Sequence, residues 1–320
     1  MNPSFLRLTA AASVMVVAGI ARMPFEQSLT EDLREQGMLS KPLNIETRKK
    51  VGQGFWAVSL GGLRTLVATV LNLRAFAFFE NQQWTQLSDT YETVVQLAPN
   101  TEYYWDTASW HMAYNAAAYY QTASKLPELR RRAEWRQWVE KGTAFLEEGA
   151  EQNPDSWYLW SRLGWIYADP NKLVDYEKSA AAYKKSIASG NALPYIRNAA
   201  AYAVARIPGR ESEALEMIRD LHQDRRGQVP TMNCLLLALE HQADPSIDPY
   251  PLALDIFGGD QEAYHQLSSF YLDFSRNFPT SGVPETLKKL EMRLEIPGDK
   301  SVFKRRKELE DAPSNPWQQR

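Results

Sequence analysis

Asp106 is the acidic residue best placed for chemistry, because Tyr103, Trp110 and Tyr114 flank it in the sequence. A carboxylate in an aromatic cleft suits a carbohydrate- or lipid-handling enzyme, since ring faces stack on the substrate while the acid moves a proton. Glycoside hydrolysis needs a pair of carboxylates, and no second one stands at a readable spacing from Asp106. Glu147 with Glu148 reads as a solvated helix face rather than an acid/base dyad. Cys234 is the single cysteine, so neither an intramolecular disulfide nor a thiolate metal cage is available. Its place in the apolar run Met232 to Leu239 makes it a buried, inert thiol. His111, His222, His241 and His265 are widely spaced, with none at HExxH spacing. The chain has no GxSxG elbow, no GxxxxGK[ST] phosphate loop and no GxGxxG turn. No catalytic residue, metal or cofactor is expected, and the function that remains is binding.

Composition narrows the elements that would present such a binding surface. The 36 basic and 39 acidic side chains leave a formal charge of −3, too small a field to hold a polyanion, so nucleic acid is not an expected partner. Ala-rich runs such as Ala116 to Ala118 and Ala199 to Ala203, with ten Trp and fifteen Tyr, suit closely packed helices. The expected fold class is all-α. Trp160, Leu163, Gly164 and Tyr167 carry the sharpest pattern, W-x2-L-G-x2-Y. Trp, Leu and Tyr share one helical face, and Gly at the fourth position lets a neighbouring helix approach. Pro154 precedes Trp160 by the same step that separates Pro99 from Trp105. Leu87, Tyr91, Val94 and Pro99, and again Gly142, Leu146, Gly149 and Pro154, share a second spacing.

These motifs resemble the tetratricopeptide repeat (TPR) family over roughly residues 68 to 225. The resemblance implies an αα-solenoid of about four degenerate helix pairs. Trp105 and Leu146 are about 21 residues further apart than the repeat allows, which predicts an extended turn that includes Lys125 to Arg136. Asp169-Pro170-Asn171 and Ile207-Pro208-Gly209 read as turns, the latter within a fourth unit from Tyr195 to Leu221.

In a TPR array the first helices of the repeats line the concave, partner-binding surface. Carried over by register, the partner-binding residues are Asn72, Phe76 and Phe79, then Tyr103, Asp106, Trp110 and Tyr114, then Tyr158, Ser161 and Trp165. Seven of the ten are aromatic, a composition that favours a protein or peptide partner. An apolar or extended peptide fits better than an acidic tail, because this set lacks the Lys and Arg that would clamp a carboxylate. The rival expectation is a self-filled groove, with Tyr264, Leu267, Phe270, Tyr271 and Phe274 from residues 262 to 294 as the plug and Asn115 as a buried hydrogen-bonding residue.

The N-terminus adds a second theme. Arg7 precedes an uncharged stretch from Leu8 to Ile20, read as a retained membrane anchor, with a cleaved signal ending near Gly19 and Ala21 as the other reading. Leu60-Gly61-Gly62-Leu63-Arg64, with Trp110 and Ala113-Tyr114-Asn115, is similar to a group of uncharacterised bacterial membrane-anchored TPR proteins with an LGGxR segment. That resemblance implies a membrane-anchored TPR architecture and brings no activity; Arg7 ahead of the apolar stretch puts the N-terminus in the cytoplasm, so the expectation is a single-pass protein of the bacterial inner membrane with its body on the extracytoplasmic side. The expected organisation is an anchor over 1–23, a linker over 24–54, helical repeats over 55–225, a helical extension over 226–312 and a tail over 313–320. Arg130-Arg131-Arg132 and Lys304-Arg305-Arg306-Lys307 read as solvated surface, with contact to anionic headgroups as the alternative. The functional expectation is a membrane-anchored scaffold or adaptor for a partner in an envelope assembly, not an enzyme. The alternatives are the enzyme on an αα scaffold and a self-assembling structural subunit.

Overall fold

The computed structural model describes residues 64–223 and 229–311, and those residues form an all-α protein with no strand. The helices are α1 (Arg64–Glu80), α2 (Trp84–Leu97), α3 (Glu102–Trp110), α4 (Glu128–Gln152), α5 (Trp157–Ala168), α6 (Tyr176–Ala188) and α7 (Tyr195–Val204). They continue as α8 (Glu211–Gln223), α9 (Pro230–Ala243), α10 (Pro249–Phe257), α11 (Asp260–Asp273), α12 (Val283–Arg293) and α13 (Val302–Asp311). No helix among the described residues is long and apolar enough to cross a membrane. The anchor and linker expected over 1–54, the segment 55–63 and the tail 313–320 lie outside those residues.

The described residues divide into two units, 64–78 with 85–101, and 79–84 with 102–223 and 229–311. In the first, Val67, Ala68 and Ala75 of α1 and Leu87, Tyr91, Val94 and Val95 of α2 are buried. The Tyr91 hydroxyl donates to Asn72 Oδ1 at 3.0 Å, which ties the two helices together. Leu66, Val70, Leu73 and Phe76 remain exposed on α1.

In the second unit each helix from α3 to α11 packs on its successor, α13 packs on α11, and α3 also meets α5. Small residues set these approaches. A Cβ at Gly149 would lie 2.6 Å from the Trp105 ring, and one at Gly164 would lie 2.8 Å from the Tyr183 ring, so only glycine admits either neighbour. Trp105 is fully buried against Phe145, with ring centroids 4.9 Å apart. Helix α5 starts where Ser156 Oγ accepts from Leu159 N at 3.1 Å, and α6 where Asp175 Oδ1 accepts from Lys178 N at 3.0 Å. Ser179 Oγ donates to the Gly164 carbonyl and Ser186 Oγ to the Trp157 carbonyl, both at 2.7 Å, so hydroxyls satisfy polar groups that the close pair buries. From Ala180 to Val302 the buried residues of α6 to α13 join in one continuous core.

The long interval between Trp105 and Leu146 is helix and not an extended turn. Helix α3 runs on through two π-helical stretches, His111–Ala116 and Tyr119–Ala123, and α4 begins already at Glu128. Ion pairs one turn apart, Arg132 with Glu128 at 2.6 Å, Arg130 with Glu134 at 3.1 Å and Arg136 with Glu140 at 2.9 Å, support that early start. The arginine triplet is thus a paired helix surface. Asp169-Pro170-Asn171 and Ile207-Pro208-Gly209 are turns, closed by Lys172 N to the Asp169 carbonyl at 3.0 Å and by Arg210 N to the Ile207 carbonyl at 3.2 Å. Arg306, from the second basic cluster, pairs with Glu310 at 2.7 Å and donates to the Tyr271 and Leu272 carbonyls at the end of α11.

Candidate partner-binding face

Trp105 and Trp160 point into the core, which turns the opposite faces of α3 and α5 outward. Trp110 at the end of α3, Tyr114 in the first π-helical stretch and Trp165 on α5 converge there as three nearly parallel rings. Trp110 and Tyr114 stack at 4.3 Å with 14° between planes, Tyr114 and Trp165 at 5.5 Å with 10°, and Trp110 and Trp165 at 6.2 Å with 6°. Each such pair contributes about 0.5–1.5 kcal/mol beyond its buried area. Trp110 and Trp165 still keep 39% and 41% exposure.

Charged groups hold the cluster in place. The Arg162 guanidinium lies over Trp165 at 4.6 Å and Trp110 at 5.8 Å, while its Nε donates to Asp106 Oδ1 at 2.7 Å. The Tyr158 hydroxyl donates to Asp106 Oδ2 at 2.6 Å. Burial, and then the bond to the Asp106 carboxylate, push the Tyr158 phenol up to about 12. Both Asp106 oxygens are therefore engaged, and the carboxylate is a positioned acceptor. Tyr114 donates to Asp169 Oδ2 at 3.1 Å, and the Lys172 ammonium sits 4.2 Å above its ring. Burial, reinforced by the Asp169 charge, raises the Tyr114 phenol, and burial lowers the Lys172 ammonium.

The sequence-derived set distributes unevenly over this geometry. Trp110, Tyr114, Trp165, Asp106 and Tyr158 come together. Ser161 is 6% exposed and donates to the Tyr158 carbonyl of its own helix at 2.8 Å, so it is turned away from the face. Tyr103 is exposed and meets Tyr104 edge-on at 5.7 Å. Phe79 packs on His111 at 4.6 Å and on Trp84 at 6.0 Å. Asn72 and exposed Phe76 belong to the other unit. Asn115 Nδ2 stands 3.0 Å from His111 Nδ1, an internal pairing on partly buried groups.

Arg162 and Lys172 were missing from the expectation, which treated the face as free of basic residues. Arg162 was legible, since it lies one helical turn from both Tyr158 and Trp165. Lys172 follows the turn after α5, where helical register carries no information. Nor do residues 262 to 294 fill the face: Leu267 and Phe270 of α11 are buried in the core shared with α9, α10 and α12. Among the described residues no group of three or more His, Cys, Asp or Glu side chains could hold a metal. No protein-family model matches this chain, and no characterised protein matches it significantly.

Proposed function

We propose that this chain is a TPR-like adaptor that holds an extended, apolar segment of a partner protein against the Trp110, Tyr114 and Trp165 rings. The observation that carries this reading is the pair of indoles left about two-fifths exposed on a rigid, internally paired platform. Solvent-facing aromatics locked by stacking lose little entropy on binding, which is why such residues dominate interfaces. Arg162 and Lys172, each over a ring and each beside a carboxylate, give the platform a polar rim with no large net charge. The double engagement of Asp106 supports binding over proton transfer. The glycine-mediated approaches of α3 to α4 and α5 to α6 support a TPR-like solenoid, and the apolar segment Leu8 to Ile20 supports a membrane anchor with the body outside the cytoplasm.

The test is crosslinking in cells with a photoreactive residue at position 110 and another at an exposed control site. One protein captured only from position 110, with capture weakened by Trp165→Ala in a folded chain, is the expected result. Loss of fold in both Trp110→Ala and Trp165→Ala, with nothing captured by the unaltered chain, would refute the reading. A crosslink to a second copy of the chain would favour the self-assembling alternative.

A further inference from the structure

Arg206, just beyond α7, differs from several partly buried arginines of this protein. Arg162 pairs with Asp106, Arg210 with Glu177 and Glu213, and Arg306 with Glu310. Arg206 has no ion pair or side-chain hydrogen bond among the described residues, and its Nε is sealed from solvent without an acceptor. Aromatic rings surround the cation instead. Phe278 faces it at 3.9 Å and Tyr176 at 5.3 Å, and Tyr183 and Tyr202 lie close enough to influence its charge. Tyr202 meets Phe278 edge-on at 6.0 Å, which closes the wall.

A half-buried guanidinium without a counter-ion is costly, and ring quadrupoles offset only part of that cost. The tyrosines sharpen the point. The hydroxyls of Tyr176, Tyr183 and Tyr202 also make no hydrogen bond among the described residues, although Tyr183 is buried and the other two partly so. One cation and three tyrosine hydroxyls thus lie near one another on α6, on α7 and just beyond it, with Phe278 of the α11–α12 connection against the cation. That donor set recognises an anion through a guanidinium fork supplemented by O–H groups.

We propose that Arg206, Tyr176, Tyr183 and Tyr202 form a receptor for a single carboxylate, carried by a peptide or by a small organic acid. The charge count selects a carboxylate over a phosphate. One guanidinium balances a monoanion, whereas a phosphate bearing about −1.5 to −2 would leave excess negative charge beside the aromatic rings. The two Nη groups suit the planar, bidentate geometry of a carboxylate.

The test follows the Arg206 Nε–H resonance of the full-length chain, assigned with Arg206→Lys, during titration with propionate. Neutral propionamide and inorganic phosphate serve as comparisons. Saturable binding of propionate, at least about tenfold tighter than either comparison, is expected. Tyr202→Phe keeps the ring and should weaken it about three- to tenfold; Arg206→Lys should weaken it by about tenfold or more. N-acetylphenylalanine and N-acetylaspartate amide then separate a chain terminus from an acidic side chain as the source, and tighter binding of either than of propionate supports a peptide ligand. No saturation with propionate, equal response to propionamide or phosphate, or unchanged binding in Tyr202→Phe would overturn the proposal. The Tyr202→Phe result decides if Arg206→Lys does not fold.

Discussion

Gly164→Ala tests the close approach of α5 and α6. In an exposed helix this change would stabilise by about 1 kcal/mol through helix propensity. Here the added Cβ would lie 2.8 Å from Tyr183 Cδ1 and Cε1 and 2.9 Å from Cγ, where carbon contacts want about 3.5–4.0 Å. Cγ is the root of the ring, so rotation about the ring axis cannot relieve the overlap; the whole side chain or the helix must retreat. Tyr183 is 5% exposed, so its retreat disturbs a packed core, a penalty of about 2–3 kcal/mol, in the upper part of the range for overpacking. The expected net loss is about 1–2 kcal/mol, roughly 2–8 °C in Tm for a chain of this size. A double-mutant cycle makes the sign decisive. In a Tyr183→Ala background the overlap is gone and Gly164→Ala should stabilise by about 1 kcal/mol, a coupling of about 2–3 kcal/mol. Urea unfolding followed by circular dichroism measures all four proteins, with Gly298→Ala as a control at a glycine that has nothing within 4 Å of its virtual Cβ. A stabilising Gly164→Ala in the unaltered chain, or the same sign in both backgrounds, would refute the reasoning.

Asp106→Asn should cost about 1–2 kcal/mol, a figure kept low because both partners of the Arg162 pair are partly exposed, and urea titration will read it. Burial pushes the Tyr158, Tyr183 and Tyr202 phenols up to about 12, with the Asp106 carboxylate adding to the effect at Tyr158. A phenol raised from about 10 on folding stabilises the native state fully below pH 10 and ceases to do so as pH rises to about 12. Stability should therefore fall between pH 10 and 12 together with the growth of phenolate absorbance, and Tyr158→Phe should flatten part of that fall. Cys234 is fully buried and its thiol is held well above its ordinary range by desolvation, so a thiol reagent should label it only in denaturant. Labelling of the native chain at the rate of a free thiol would contradict the α9 packing.

Much of the helical framework was legible in the chain because helix packing is written in local periodicity. The spacing of Trp160, Leu163, Gly164 and Tyr167 announces one buried face, and Gly164 does admit Tyr183. The buried positions Leu87, Tyr91 and Val94, the turns at Asp169 and Ile207, and the inert Cys234 follow from the same local rules. Register also placed Trp110, Tyr114 and Trp165 together, and the outward faces of α3, its π-helical continuation and α5 do meet there. Other features depended on contacts that no spacing encodes. Ser161 shares the helical phase of Tyr158 and Trp165, yet its hydroxyl bonds back to its own helix. The π-helical stretches after Trp110 depart from the regular helical period, so counting residues made an extended turn of what is helix. The commitment of Asp106 to Tyr158 and Arg162, and the isolation of Arg206 among tyrosines, are facts about which charges lie within reach in space. Sequence determined which faces are apolar and where helices can touch; only the tertiary structure decided which charges met a partner, because Coulomb and hydrogen-bond energies depend on distances that separation along the chain does not set.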